Sequence, residues 1–161
     1  MASITLQGLD ESRAWLDAMP AVLSAALAAK AQELAAALVD RVKYDKLSGG
    51  ALNMQSGALQ ASITANISVG VDGISASVGS DGDVKYAAIQ EYGGKTSAHD
   101  ILPQKARALA FMVGGSLRFA KSVHHPGSLI PARSYLGSAL DEMSDDIVAG
   151  LASAVEDLAR A

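Results

Sequence analysis

Three histidines and the acids beside them are the side chains best suited to chemistry in this chain: His99-Asp100, and the adjacent His124-His125 of "VHHPGSLIPARSYLG" at 123–137. Imidazole nitrogens and carboxylates ligate zinc and move protons near neutral pH. A small metal-dependent hydrolase using His99, Asp100, His124 and His125 is therefore one function to weigh. Neighbouring residues at a strand end point to opposite faces, however, so His124 and His125 would not address a single ion. No His-x-x-x-His spacing exists, and nothing in the sequence brings His99-Asp100 to the other pair. The pattern favours polar strand-end histidines, and no metal ligand or cofactor is assigned.

Other catalytic signatures fare no better. No Gly-x-Ser-x-Gly elbow is written for a serine nucleophile. "GSDGD" at 79–83 looks like a fragment of a calcium loop, but Tyr92 stands where the loop's closing glutamate belongs. The glycine pairs at 49, 93 and 114 do not follow a strand and open a helix with Lys-Ser/Thr, as a phosphate cradle would. Cysteine is absent, which removes thiolate catalysis, disulfides and cysteine-ligated zinc together. We expect no enzyme and no catalytic residue. Arg133 is of another kind: it stands at a helix entrance, where backbone N–H groups already supply positive potential. A guanidinium there gains nothing from the helix dipole and points to a specific acceptor, for which Glu91 is a candidate.

The elements that must position these residues change period along the chain. "SITLQGLD" alternates at Ile4 and Leu6, predicting a short strand before an Asp10 helix cap. A short helix over 11–18 should bend at Pro20. Beyond it, Leu23, Leu27, Ala31, Leu34, Leu38 and Val42 form one apolar stripe of a long helix. After a glycine-rich loop, Ile63, Ala65, Ile67 and Val69, then Ile74, Ala76 and Val78, alternate around Asp72-Gly73 and predict a hairpin. Leu109, Phe111 and Val113 lead into Gly114-Gly115 and out through Leu117 and Phe119, predicting a second. Between them, residues 86–93 suit one or two helical turns ending at Gly93. Leu136, Leu140, Met143, Ile147, Leu151, Val155 and Leu158 recur at three or four, which predicts a closing helix. The fold class expected is α+β: an antiparallel sheet of two β-hairpins packed against two long helices, N-terminal and C-terminal, in a single domain over 1–161.

Half of the 161 residues are apolar but only 4% are aromatic, so the core should be built from Ala, Leu, Val and Ile. The formal charge of −4 and the scattered Lys and Arg disfavour direct, specific nucleic-acid binding. Acids precede the apolar stretch at 18–29, against a signal peptide. Lys30 and Glu33 interrupt that stretch short of a membrane span, so a soluble protein is expected, with no membrane partner.

Five segments together resemble one family. "YAAIQEYGG" at 86–94 is similar to the Tyr-Ala-x-x-x-Glu-Phe/Tyr-Gly signature of the small tail-completion and head–tail joining (neck) proteins of tailed bacteriophages. "IPARSYLGSAL" at 130–140 resembles its Pro-Ala-Arg-Pro-Phe-Leu partner, "SGALQASI" at 56–63 the turn before the first hairpin, and "ILPQKARALAF" with "LRFAKSVHHPG" an inserted hairpin. Ser134 stands in place of the usual proline, Tyr92 and Tyr135 in place of phenylalanines, and Ser56 where threonine is common. Phage virion morphogenesis proteins and tail terminators share much of this grammar.

The resemblance implies a virion assembly part, carried also by prophages and gene transfer agents. Its partners would be further copies in a sixfold ring, the head connector or adaptor, and the tail tube or tail terminator. It would sit at the head–tail interface of the virion, after assembly in the host cytoplasm. A tail terminator or minor capsid-associated protein is the alternative within the virion. The structural motif implied is Tyr86, Ala87, Glu91, Tyr92 and Gly93 with Pro131, Ala132, Arg133, Tyr135 and Leu136. We expect the two segments to pack together, with Tyr92, Tyr135 and Leu136 giving apolar contact and Glu91 with Arg133 an orienting pair. Loops 45–57 and 93–100 would be disordered until they meet connector or tube. Acidic walls would let DNA slide through the ring.

Overall fold

The computed structural model describes residues 9–53, 55–70 and 72–160, with side chains described from Asp17 onward. The strand expected at Ile4 and Leu6 lies outside the described residues. Helix α1, Leu9–Asp40, is rich in Ala and Leu, the strongest helix formers. It runs through Pro20 as one helix and takes Asp10 into its body, where two helices and a cap were expected. Proline removes one main-chain bond, and Pro20 is exposed, so the carbonyl deprived of its donor can turn to water.

The chain then widens into π-helical turns over Arg41–Gly50, with Ser48 and Gly49 (φ 119°) leaving helical geometry. Ala51 and Leu52 both donate to the Lys46 carbonyl, at 2.9 and 3.0 Å. The Gln60 amide ties the bend from outside, donating to the Lys43 carbonyl at 2.8 Å and to Ser48 Oγ at 3.0 Å. A Cβ on Gly50 would lie 2.1 Å from the Asp45 carbonyl oxygen, so the bend requires glycine there. Much of the loop expected to be disordered is therefore built structure, and helix α2, Ala58–Ser62, closes it.

Strands β1, Ile63–Gly70, and β2, Gly73–Ser80, pair antiparallel from Ile63↔Ser80 to Gly70↔Gly73. Gly73 pairs with Gly70 and so belongs to the ladder, where the Asp72-Gly73 turn was expected. This hairpin packs on α1. The last helix, α4, Tyr135–Arg160, also packs on α1. Leu38, Val42, Leu47, Ile63, Tyr135, Ala139 and Met143 form the buried cluster. The stripe expected on α4 faces the core for most of its length, with Met143 buried and Leu136 and Ile147 packed beside it, but Leu140 and Val155 are 48% and 43% exposed, while Ala139, outside the stripe, is fully buried. Close approach of helices selects small residues rather than the most apolar ones. At Gly150 the Leu34 methyls occupy the space a larger side chain would need, 3.4 Å from where its Cβ would stand.

The chain divides into two compact units, residues 1–87 with 134–161, and residues 88–133. Within the second, helix α3, Ala87–Tyr92, gives way to short strands. These are β3 (Gly94–Lys95), β4 (His99–Ile101), β5 (Leu109–Val113), β6 (Ser116–Ala120), β7 (Val123–His125) and β8 (Leu129–Ile130). They pair as β3 with β8, β4 with β7 and β5 with β6. The class is α+β as expected, but the described strands form four separate two-stranded ladders, so the two expected hairpins do not share one sheet. Gly114 and Gly115, at φ 56° and 79°, make the tight turn between β5 and β6.

Candidate interaction site

In the second unit the two motif segments meet at Gly93. Its φ of 71° ends α3, and a Cβ there would stand 2.7 Å from Ala132 N, 3.0 Å from the Ile130 carbonyl oxygen and 3.2 Å from Ala132 Cα. Only a glycine lets the two backbones cross this closely. The crossing is pinned on either side: Arg133 N–H donates to the Gln90 carbonyl at 2.9 Å, and Gly94-Lys95 pair with Ile130-Leu129. Packing of the 86–93 segment against 130–133 is thus realised through main chain.

The side chains divide differently from the expectation. Glu91 is buried, at 6% exposure, whereas Tyr92 is 80% exposed and supplies no apolar packing. Successive helical positions point about 100° apart, so turning Glu91 inward turns its neighbour out. Arg133, Pro131 and Ala132 are exposed, and the ion pairs among the described residues include none joining Glu91 to Arg133. What joins Arg133 to the 86–93 segment is its main-chain N–H, bonded to the Gln90 carbonyl.

The remaining motif residues belong to the first unit. Tyr135, 1% exposed, fills its core, and its hydroxyl lies 3.4 Å from the Ala87 carbonyl. Leu136 packs at the edge of the same cluster, and Tyr86 is 44% exposed. In this unit Glu142 on α4 bridges Arg41 and Lys46. The hydrogen bond from Lys46 holds the Glu142 carboxyl below the usual carboxylate range, against a smaller upward push from desolvation and with further help from the charges of Lys46 and Arg41.

The histidines are brought together after all. β4 and β7 place His99 opposite His125 and Asp100 opposite His124. The alternation of strand side chains splits the four into pairs on opposite faces. On one, the imidazoles of His99 and His125 stack with centroids 5.1 Å apart; on the other, His124 Nδ1 meets Asp100 Oδ1 at 2.9 Å. Gly127 N–H donates to His125 Nδ1 at 3.0 Å, occupying that lone pair. No group of three or more His, Asp or Glu side chains placed to hold a metal exists among the described residues. The geometry suits a local clasp between β4, β7 and the 126–128 turn.

Two further features, one of charge and one of exposure, accompany the division into units. Unit 88–133 contains six basic residues, Lys95, Lys105, Arg107, Arg118, Lys121 and Arg133, against Glu91 and Asp100 alone, a formal charge of +4; the remainder of the chain is −8. The stretch is contiguous, so the excess of bases is carried by the sequence itself and is hidden only when the charge of the whole chain is taken. In addition, no apolar side chain within 88–133 is among the buried residues, while nine large ones stand exposed, including Leu129 at 82%, Phe119 at 68%, Met112 at 65% and Leu117 at 57%. Helix 17–50 is likewise poorly covered: it is long and apolar enough to cross a membrane by length and composition, and 11% of its most apolar stretch is buried. Its far half supplies Leu38, Val42 and Leu47 to the core, which accounts for part of that apolarity.

No family model, curated protein or solved structure matches this chain.

Proposed function

We propose that the protein is a structural subunit of a phage or phage-derived particle, joining the head connector to the tail as one member of a ring and catalysing no reaction. The observation that supports this best is the crossing at Gly93. Two of the segments that carry the family resemblance, 86–94 and 130–140, are distant in sequence, and the first meets the beginning of the second at a contact only glycine permits. A motif pair whose residues serve to set one backbone against another is what a part acting by shape requires. The excess of exposed apolar side chains over buried ones agrees with a chain that completes its burial against partners.

On this reading ring formation is a heterologous contact, one patch of each copy meeting a different patch of the next. The test is deletion of the gene from the phage or prophage that encodes it, followed by electron microscopy of the lysate. Filled heads and finished tails that remain unjoined are the expected result. Normal tailed virions, or loss of heads themselves, would refute it. Tails of uncontrolled length with no joined particles would favour the tail-terminator alternative.

A further inference from the structure

We propose that unit 88–133 of one copy docks on helix α4 of a second copy, with the apolar face of the β5–β6 hairpin as the inserting surface. The proposal deepens the ring reading, on which it rests for closure of the contact but not for the contact itself.

The register of β5 and β6 sets Ala110 opposite Phe119 and Met112 opposite Leu117. Residues facing each other across an antiparallel pair share a face, so Ala110, Met112, Leu117 and Phe119 form one surface without a polar side chain. Met112, Leu117 and Phe119 are each more than half exposed. A two-stranded hairpin with an uncovered apolar face is marginal in water unless another surface packs on it. At about 150–250 Å² for a fully exposed large side chain, the exposed apolar residues of the hairpin present on the order of 500 Å² and those of the whole unit on the order of 1,000 Å². These bracket the ~800 Å² that each partner brings to a standard interface.

Charge identifies the occupant. A +4 unit carrying this face is complemented by the −8 remainder of an identical chain. Within that remainder α4 offers the matching chemistry. Asp141, Asp145, Val148 and Val155, at spacings of four, three and seven, share one exposed side of the helix, with Leu140 beside them. Val148 is 68% exposed and Val155 43%. The outer side of α1 is mainly alanine and offers less area per residue. Because the two surfaces differ, the contact is head-to-tail and leaves one of each free on every pair.

That asymmetry supplies the experiment. Phe119→Lys should disable the inserting face and Val148→Asp the receiving one, each at an exposed position, with folding checked by circular dichroism and Leu117→Lys as a second inserting-face variant. Light scattering on the wild type should show mass rising with concentration above the 16.4 kDa monomer, and each variant alone should weaken association by about tenfold or more. A mixture of the two should recover a one-to-one dimer and nothing larger, because one intact copy of each surface survives. As the chain lacks cysteine, Phe119→Cys mixed with Val148→Cys should form a disulfide across the contact under oxidation.

A wild type that stays monomeric at about millimolar concentration would overturn the proposal, and the gene-deletion experiment would still decide the head–tail reading. Association unaffected by the variants, or variants that fail to complement, would also overturn it. So would a monomer that binds duplex DNA or lipid vesicles through the same hairpin residues, which would make those the occupants.

Discussion

Replacing Gly93 with alanine isolates the contact on which the motif geometry depends. Two costs add. An L-residue held at φ 71° loses roughly 1–2 kcal/mol. The new methyl would stand 2.7 Å from Ala132 N and 3.0 Å from the Ile130 carbonyl oxygen, and these are backbone atoms that cannot swing aside. Overpacking of this kind adds roughly 1–3 kcal/mol, for a total of about 2–5 kcal/mol. Gly115 in the same unit is the control, since its φ of 79° is similar but nothing lies within 4 Å of its Cβ position. Gly115→Ala should therefore show the first cost alone. Hydrogen exchange reads the difference locally, at the Arg133 N–H bonded to Gln90 and the Thr96 N–H bonded to Ser128. At tenfold per 1.4 kcal/mol, Gly93→Ala should speed exchange at these amides by roughly 30- to 4,000-fold, and Gly115→Ala at the hairpin's own amides by no more than about 30-fold. Equal effects of the two substitutions, each on its own surroundings, would refute the crossing as the source of constraint.

Ile63→Ala should lose about 2–5 kcal/mol in urea unfolding, because Ile63 is fully buried, whereas Val69→Ala on the same strand, 57% exposed, should stay within about 0.5 kcal/mol. Arg133→Ala should change stability by less than about 1 kcal/mol, while Arg133→Pro, which deletes the N–H donated to Gln90, should cost about 1–3 kcal/mol at the same position. The folded fold lowers the Glu142 carboxyl below its ordinary value of 4.5, so its bridge to Lys46 and Arg41 contributes above that value and is lost as pH falls through the lowered one. Glu142→Gln should accordingly reduce stability near neutral pH and make progressively less difference as pH falls below 4.5, as urea midpoints followed down the pH scale will show.

What the sequence displayed most clearly was whatever has a short period. The β5–β6 hairpin is written as alternation around Gly114-Gly115, and both glycines adopt the positive φ that alternation demanded. The β1–β2 hairpin was equally legible, though Gly73 belongs to its ladder rather than to its turn. The two long helices were visible as apolar stripes, and on α4 the stripe marked the core side except at Leu140 and Val155, while missing Ala139. It ranks residues by apolarity, and a close helix pair instead selects Ala139 and Gly150 for their size. Pro20 misled because its penalty falls on a carbonyl, and whether water can reach that carbonyl is a property of the fold. The pairing of His99-Asp100 with His124-His125 had no local sign, since three-residue strands with over twenty residues between them carry no periodicity. Glu91 was expected to be the acceptor for Arg133, yet Glu91 is buried while the Arg133 side chain is exposed, which the motif alone could not foresee.

The two units obey different physics. The larger one is held by burial: Val42, Ile63 and Tyr135 are almost wholly removed from water. Residues 88–133 have no comparable apolar interior and are held by short ladders, by Arg133 and Thr96 main-chain bonds, and by glycines fitted against backbone at Gly93 and Gly127, the latter 2.2 Å from the Thr96 carbonyl oxygen at its Cβ position. Main-chain bonds contribute only about 0.5–1.5 kcal/mol each when water competes for them. Such a unit opens easily when alone and gains more than its neighbour from any apolar surface laid against it. Exchange protection should therefore rise on self-association chiefly at β5 and β6 of one copy, with α4 of the other changing little, because α4 is already secured by its own core. Protection rising equally in both elements would mean that the hairpin was no less stable than the helix before they met, and that the absence of an interior in 88–133 has no mechanical consequence.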